Sequence, residues 1–333
     1  MADKARQLKI MAGIFLISLI PFAAAYADMG RIYATDAKVM EDSQKAIILH
    51  NLDEEILILG TDLKADKNTS VIRFIPFPAE PKVSLAQPKA FDVAAVLIEK
   101  HGLKFINQYK GGGPSAQAVE LRFNQKLGAH DIAVVKINDS AGFRKWVNDF
   151  FKSKGLPQKP SYSEIENIVD DYTKRGIVYF VFDLVEVTAE TRFIEPIQYR
   201  FKSKELYYPL KTSNTFGGNG TIDLIMILPG TLCQPLYTNF YNMKATTSSA
   251  VTMEELKDIL PAPEEFFAGK NLFIQLARYW GQYKFGDDIF YDLSKIKPNA
   301  ISFEAEDDWH YALEDMVKSI PERFPESKQS DAK

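Results

Sequence analysis

The chain has 333 residues, with 40 Lys and Arg against 44 Asp and Glu, 46% hydrophobic residues and a single cysteine. This is the composition of an ordinary globular protein, long enough for one large core or two lobes. The acidic balance argues against nucleic acid as a partner, because phosphate binding needs clustered cations, and the lone Cys233 leaves no intramolecular disulfide to support the fold.

In chain order, the first signal is a leader. Lys4, Arg6 and Lys9 precede an uncharged run from Ile10 to Ala25 that ends in Ala25-Tyr26-Ala27, the small-x-small pattern of a signal-peptidase site. The run is shorter than the ~20 residues of a membrane span, so residues 1–27 are expected to be a cleaved signal peptide and the mature chain to begin at Asp28. Losing them takes the 40 basic and 44 acidic residues to 37 and 43, a formal charge of −6. A periplasmic or secreted protein is expected, with no transmembrane segment after cleavage.

Residues 28–320 are expected to form an α+β globular region, with 28–110 and 115–320 as two possible lobes and 321–333 as a polar disordered tail. The runs AIILH (46–50) and EILIL (55–59) flank NLDE and predict a hairpin, and VIRFI (71–75) runs into Pro76 and Pro78, where a strand must end or lie at an edge. Residues 88–101 read as a helix with Phe91, Ala94, Ala95 and Ile98 on one stripe and Gly102 as the stop. Val119, Leu121 and Phe123 alternate with charges and predict a strand paired with 131–137.

Two helices follow. Asp139 or Ser140 caps the first, which carries Phe143, Trp146, Val147 and Phe150 at i, i+3, i+4 and i+7 before Gly155. Ser161 and Glu164 read as a capping box for the second, which ends at Gly176. A buried strand at 177–182 and a strand with Ile197, Tyr199 and Phe201 on one face come next. In YYPLKTSNTFGGNGTIDLIMIL (207–228), Gly217, Gly218 and Gly220 precede a β-branched run and lack the spacing of a phosphate cradle, so a hairpin turn is expected. Thr252 and Glu255 form another capping box. Residues 272–280 suit a strand or a helix, and 309–320 a helix. Strands and hairpins outnumber helices, predicting an α+β fold with mainly antiparallel sheet and helices packed on one face.

The succession QKAIILHN, EEILILGTDL, VIRFIPFPAEPKV, HDIAVVKIND, AGFRKWVNDFF, DDYTKRGIVYFVFDL and FKSKELYYPLKTS resembles an uncharacterised family of exported bacterial proteins, a domain of unknown function, over roughly residues 40–235. The resemblance implies export and a similar architecture. It implies no activity, cofactor or catalytic residues.

Chemistry is sparse. Cys233 lies in an apolar segment without the basic neighbour that activates a thiol, although His50, His101 and His130 are candidate bases. Ser294 and Lys297 have SxxK spacing but follow Lys211-Thr-Ser213, the reverse of the β-lactamase order. Two acidic clusters, Asp287 and Asp288 with Asp292, and Glu304, Glu306 and Asp308 with Asp307, offer oxygen ligands of the kind calcium takes, and no other cofactor is expected. Tyr207, Tyr208, Tyr237, Phe240 and Tyr241, set among Thr, Asn and Lys, are candidate stacking residues for a ligand. The expectation is a non-enzymatic cell-envelope module that binds or assembles with an envelope protein or polysaccharide; the alternative is a glycan or ester hydrolase using acidic residues.

Overall fold

The computed structural model describes residues 30–33, 37, 39–105, 130–190, 192–215, 219–233, 236, 243 and 245–300. The leader 1–27, the strand expected at 119–123, Gly217, Gly218, Tyr237, Phe240, Tyr241, the acids 304–308, the helix 309–320 and the tail 321–333 lie outside the described residues.

Strands β2 (Val39–His50) and β3 (Glu54–Ala65) form the expected hairpin. Its turn is set by Asn51, whose Oδ1 accepts from the amides of Asp53 at 2.9 Å and Glu54 at 2.8 Å, an Asx turn with Leu52 at φ 82°. Both strands are apolar without alternation because both faces are covered. Ala46, Ile48, Leu57 and Leu59 point to one core, and Ile47, Leu49, Ile56 and Ile58 to another.

The hairpin lies inside a seven-stranded sheet of order β11-β12-β10-β2-β3-β8-β5, where β5 is Lys82–Leu85, β8 Arg192–Lys202, β10 Asn219–Leu228, β11 Ser249–Val251 and β12 Leu272–Gln282. Its pairs are antiparallel except β10 with β2. A second sheet has the order β1-β4-β7-β6, from Gly30–Tyr33, Thr69–Phe77, Tyr179–Val187 and Asp131–Lys136. Strands β9 (Glu205–Tyr208) and β13 (Ile289–Asp292) pair separately. Strands from before residue 105 and after residue 130 neighbour one another in both larger sheets.

Helix α1 (Ala90–Lys100), with the short α4 (Met253–Leu256) and α5 (Pro263–Phe267), covers one face of the seven-stranded sheet through Phe91, Ala94, Leu97, Leu256 and Phe267. Helices α2 (Ser140–Ser153) and α3 (Ser163–Lys174) cover the outer face of the four-stranded sheet, placing Phe143, Val147, Val169 and Tyr172 on Phe74, Phe180 and Phe182. The remaining faces of the two sheets pack on each other, with Ile75, Phe77 and Val181 sharing a core with Ile48, Leu57 and Tyr199. The mainly β, largely antiparallel character agrees with expectation, and helices do lie on one face of each sheet. The addition is that two sheets stack between two helical layers.

Local signals held in some places and lost in others. Asp139 caps α2 by accepting from the Gly142 amide at 2.6 Å, and Thr252 and Glu255 complete their capping box. The box expected from Ser161 and Glu164 does not form. Tyr162 is the cap residue, and Glu166 reaches back to its amide at 2.8 Å while also binding Arg144 of α2, so a tertiary ion pair displaced the local cap. Strand β4 passes through Pro76 because only β7 pairs with it there; β1 reaches no further than Phe74.

The hairpin expected at 207–228 is also corrected. Strand β9 pairs with β13, while β10 pairs with β2 and β12, and a 3₁₀ turn (Lys211–Thr215) intervenes. Gly220 therefore serves packing, since a Cβ there would stand 2.1 Å from the Tyr283 hydroxyl. Gly220→Ala is expected to lower stability by ~1–3 kcal/mol through overpacking, seen as a lower urea midpoint at constant slope. The cost should shrink in a Tyr283→Leu background; an equal cost in both backgrounds would refute the contact as its cause.

Candidate functional site

The most perturbed chemistry in the described residues gathers around Asp288, at the entry to β13. Ile289 and Tyr291 fix that strand in the inner core, which carries the preceding Asp288 inside, 4% exposed. Its Oδ1 accepts from the Lys211 amide at 2.8 Å and from the Tyr172 hydroxyl at 2.7 Å. Its Oδ2 lies 3.1 Å from the Tyr207 hydroxyl, which is also 3.0 Å from the Pro76 carbonyl. Groups from α3, the 3₁₀ turn and β9 thus meet on one carboxyl group.

Tyr207 has a single hydroxyl proton and faces two acceptors, Asp288 Oδ2 and the Pro76 carbonyl, so it donates to one of them at a time. Burial raises the Asp288 carboxyl to about 6, against the pull of the Lys211 amide, Tyr172 and Arg175. Burial and the nearby Asp288 also push the Tyr172 and Tyr207 hydroxyls well above their usual range. The Tyr207 amide meets a second buried acid, Glu55, at 2.8 Å, and desolvation raises that carboxyl well above normal as well.

A polar cap closes over this cluster. Arg175 lies over the Tyr172 ring at 4.8 Å and pairs with Asp171 at 2.9 Å and with Asp287, while Lys211 Nζ reaches Asp171 at 2.7 Å. A second buried cluster joins the two sheets: Arg73 Nε donates to Asp183 at 3.1 Å, and His130 lies 2.8 Å from Asp183 and 3.1 Å from the Glu195 carbonyl on β8. Burial works against ionisation of Asp183, but Arg73 and His130 outweigh it and hold the carboxyl below its ordinary value.

Tyr207, Asp287 and Asp288 are brought together, in an arrangement the sequence reading did not foresee. The Tyr207 and Tyr208 rings are fully buried and form no exposed stacking platform; Tyr207 packs on Phe201 and Phe290 at centroid distances of 6.0 and 5.0 Å. Asp287 accepts from Arg175 and from the Asp288 amide, and Asp288 is taken up by the groups above. Among the described residues no group of three or more His, Cys, Asp or Glu is placed to hold a metal ion. The Cys233 thiol faces the Lys295 carbonyl at 3.4 Å, while His50 accepts from the Leu52 amide, His130 meets Asp183 and His101 meets Ser249 and Glu255. Tyr172 and Arg175 escaped the sequence reading as site residues because Asp288 and Asp287 lie far away in the chain; Tyr172 and Asp288 are 116 positions apart.

The profile of a family described as "Uncharacterized protein conserved in bacteria (DUF2330)" matches residues 23–227. No curated protein matches the chain. Among solved structures, the crystal structure of baculovirus p35 aligns with a TM-score of 0.42 and 6% identity over 78% of this chain and 97% of its own. A mutated baculovirus p35 after caspase cleavage aligns with a TM-score of 0.37 and 7% identity over 75% of this chain and 99% of its own.

Asp288→Asn tests the raised carboxyl. A carboxyl raised from 3.8 to about 6 on folding binds its proton more tightly in the native state, so its contribution is present below pH 4 and lost as pH rises to 6. Two units correspond to about 3 kcal/mol. The carboxamide of the variant stays neutral throughout, so the stability difference between variant and wild type should move by about that amount in favour of the variant between pH 4 and 7. Parallel urea-derived stability curves across that range would show Asp288 to be ionised or uncoupled.

Proposed function

We propose that this chain, which belongs to the DUF2330 family of bacterial proteins, is an exported binding or assembly module of the cell envelope. The observation that supports this reading is where the buried ionisable groups are placed. Asp288 and Glu55 grip Tyr207, Arg73, Asp183 and His130 tie β4 and β7 to β8, and Arg144 with Glu166 joins α2 to α3. The first two groups are buried joints between elements far apart in the chain and the Arg144–Glu166 pair ties two helices of one layer, which suits a stiff body whose work is done by its surface. The basic, apolar, small-x-small N-terminus supports export. No helix among the described residues is long and apolar enough to cross a membrane.

The hydrolytic alternative built on acidic residues gains nothing from Asp288, because both of its oxygens are turned toward Tyr172, Tyr207 and the Lys211 amide. An acid that protonates a leaving group must reach a substrate, and this one is enclosed. The partner favoured here is an envelope protein or polysaccharide.

Cross-linking in the intact host, followed by mass analysis of the recovered chain, is expected to show a mature protein beginning at Asp28 and joined to an envelope component. Unprocessed protein beginning at Met1, recovered from the cytoplasm and joined to no envelope component, would end this reading.

A further inference from the structure

On the opposite side of the seven-stranded sheet, three residues from separate elements stand in hydrogen-bond sequence. His101 follows the last turn of α1, Ser249 opens the edge strand β11, and Glu255 lies in α4. The Ser249 hydroxyl is 2.8 Å from His101 Nδ1, and His101 Nε2 is 3.1 Å from Glu255 Oε1. Ser249 and His101 are partly open to solvent, unlike the enclosed Asp288.

The proton positions follow from the partners. Burial alone would raise the Glu255 carboxyl, but Lys100 at 2.6 Å, the Thr252 amide at 2.7 Å and hydroxyl at 2.8 Å, and His101 together hold it down at about 2. It is an ionised, acceptor-only group, so the nitrogen facing it, Nε2, carries the ring proton. In the neutral ring Nδ1 is then a lone-pair acceptor aimed at the serine O–H. That is the ordering of a nucleophile, its base and the acid that orients the base.

A groove of about 590 Å³ begins at Ala250, the residue after Ser249. Its wall runs from Ala250 through Val251 and Met253, and Leu272, Phe273 and Pro298 add apolar surface. A groove of this volume and lining suits a small ligand with a hydrocarbon portion.

We propose that Ser249, His101 and Glu255 form an acyl-transfer centre that cleaves a carboxylic ester carrying an apolar acyl chain. Ser249 Oγ bonds to the ester carbonyl carbon as its proton passes to His101 Nδ1, and the carbonyl electron pair moves to oxygen. The pair returns, the carbon–alkoxide bond breaks, and the Nδ1 proton leaves with the alcohol. Water then attacks the acyl-serine, gives its proton to Nδ1, and releases the acid as that proton returns to Ser249. Glu255 holds the Nε2 proton throughout. This activity goes beyond the binding role proposed above, and Ser249→Ala can serve as bait in the cross-linking experiment, so the two readings fail independently.

The test treats the full chain with a fluorophosphonate and, separately, with p-nitrophenyl butyrate. Expected are one adduct, mapped to the Ser249 peptide, and ester turnover that falls to background in Ser249→Ala. Turnover should fall roughly 100-fold or more in Glu255→Gln and His101→Gln, and the fall of labelling toward acid pH should be lost in His101→Gln. Should Ser249→Ala fail to fold, the mapped adduct on the wild type decides. No adduct, an adduct elsewhere, or turnover that survives Ser249→Ala overturns the proposal.

Discussion

A sheet whose central strands are apolar on both faces is the constraint on which the rest of this structure depends. Strands β2 and β3 put isoleucine and leucine on both sides, and each such side chain taken out of water is worth ~1.5–3 kcal/mol. Neither face can be left wet. Three helices cover one. The second sheet covers the other, and since it too is apolar on its far side, through Phe74, Phe180 and Phe182, it needs α2 and α3. The succession of layers follows from one hairpin and the rule that apolar faces must meet. The edge strand β5 is short, begins with Lys82 and is flanked by Pro81 and Pro88, features that discourage further strands from joining the ladder.

Stacking two sheets carries ionisable groups inside, and the fold handles them by neutralisation or pairing. Asp288 and Glu55 are pushed toward the protonated form by burial, whereas Asp183 stays ionised beside Arg73. His50 is lowered to about 4, chiefly by burial, so the fold favours its neutral ring. Its contribution is therefore lost as pH falls from 6.5 toward 4, while that of Asp288 is lost as pH rises through nearly the same interval. The two slopes oppose each other, and Glu55, raised by the same burial, adds to that of Asp288.

Much of the local structure was legible in the residues. The β2–β3 turn, the stops of α2 and α3 at Gly155 and Gly176, both at positive φ, and the caps at Asp139 and Thr252 depend on neighbours within a few positions. Where a distant partner competed, local rules failed. Glu166 left Ser161 without its expected box because Arg144 lay within reach, and the glycines before β10 led to strands already paired elsewhere. Both groups of interacting side chains were illegible for the same reason. His101 is 148 positions from Ser249 and 154 from Glu255, and no spacing pattern encodes such pairs.

By itself, the sequence determined the strand-rich content, three of the helices with the stops of α2 and α3, the bacterial family and the acidic, disulfide-free chemistry of the chain, all of which follow from composition or from periodicities a few residues long. Only the tertiary structure decided which strands pair, that Tyr207 and Tyr208 belong to the core, that Asp288 is enclosed rather than offered as a ligand, and that Ser249 faces a histidine. Periodicity tells a side chain which way to point along its own element. What it meets there depends on which other element the chain brings opposite, and burial, protonation and reactivity are all set by that meeting.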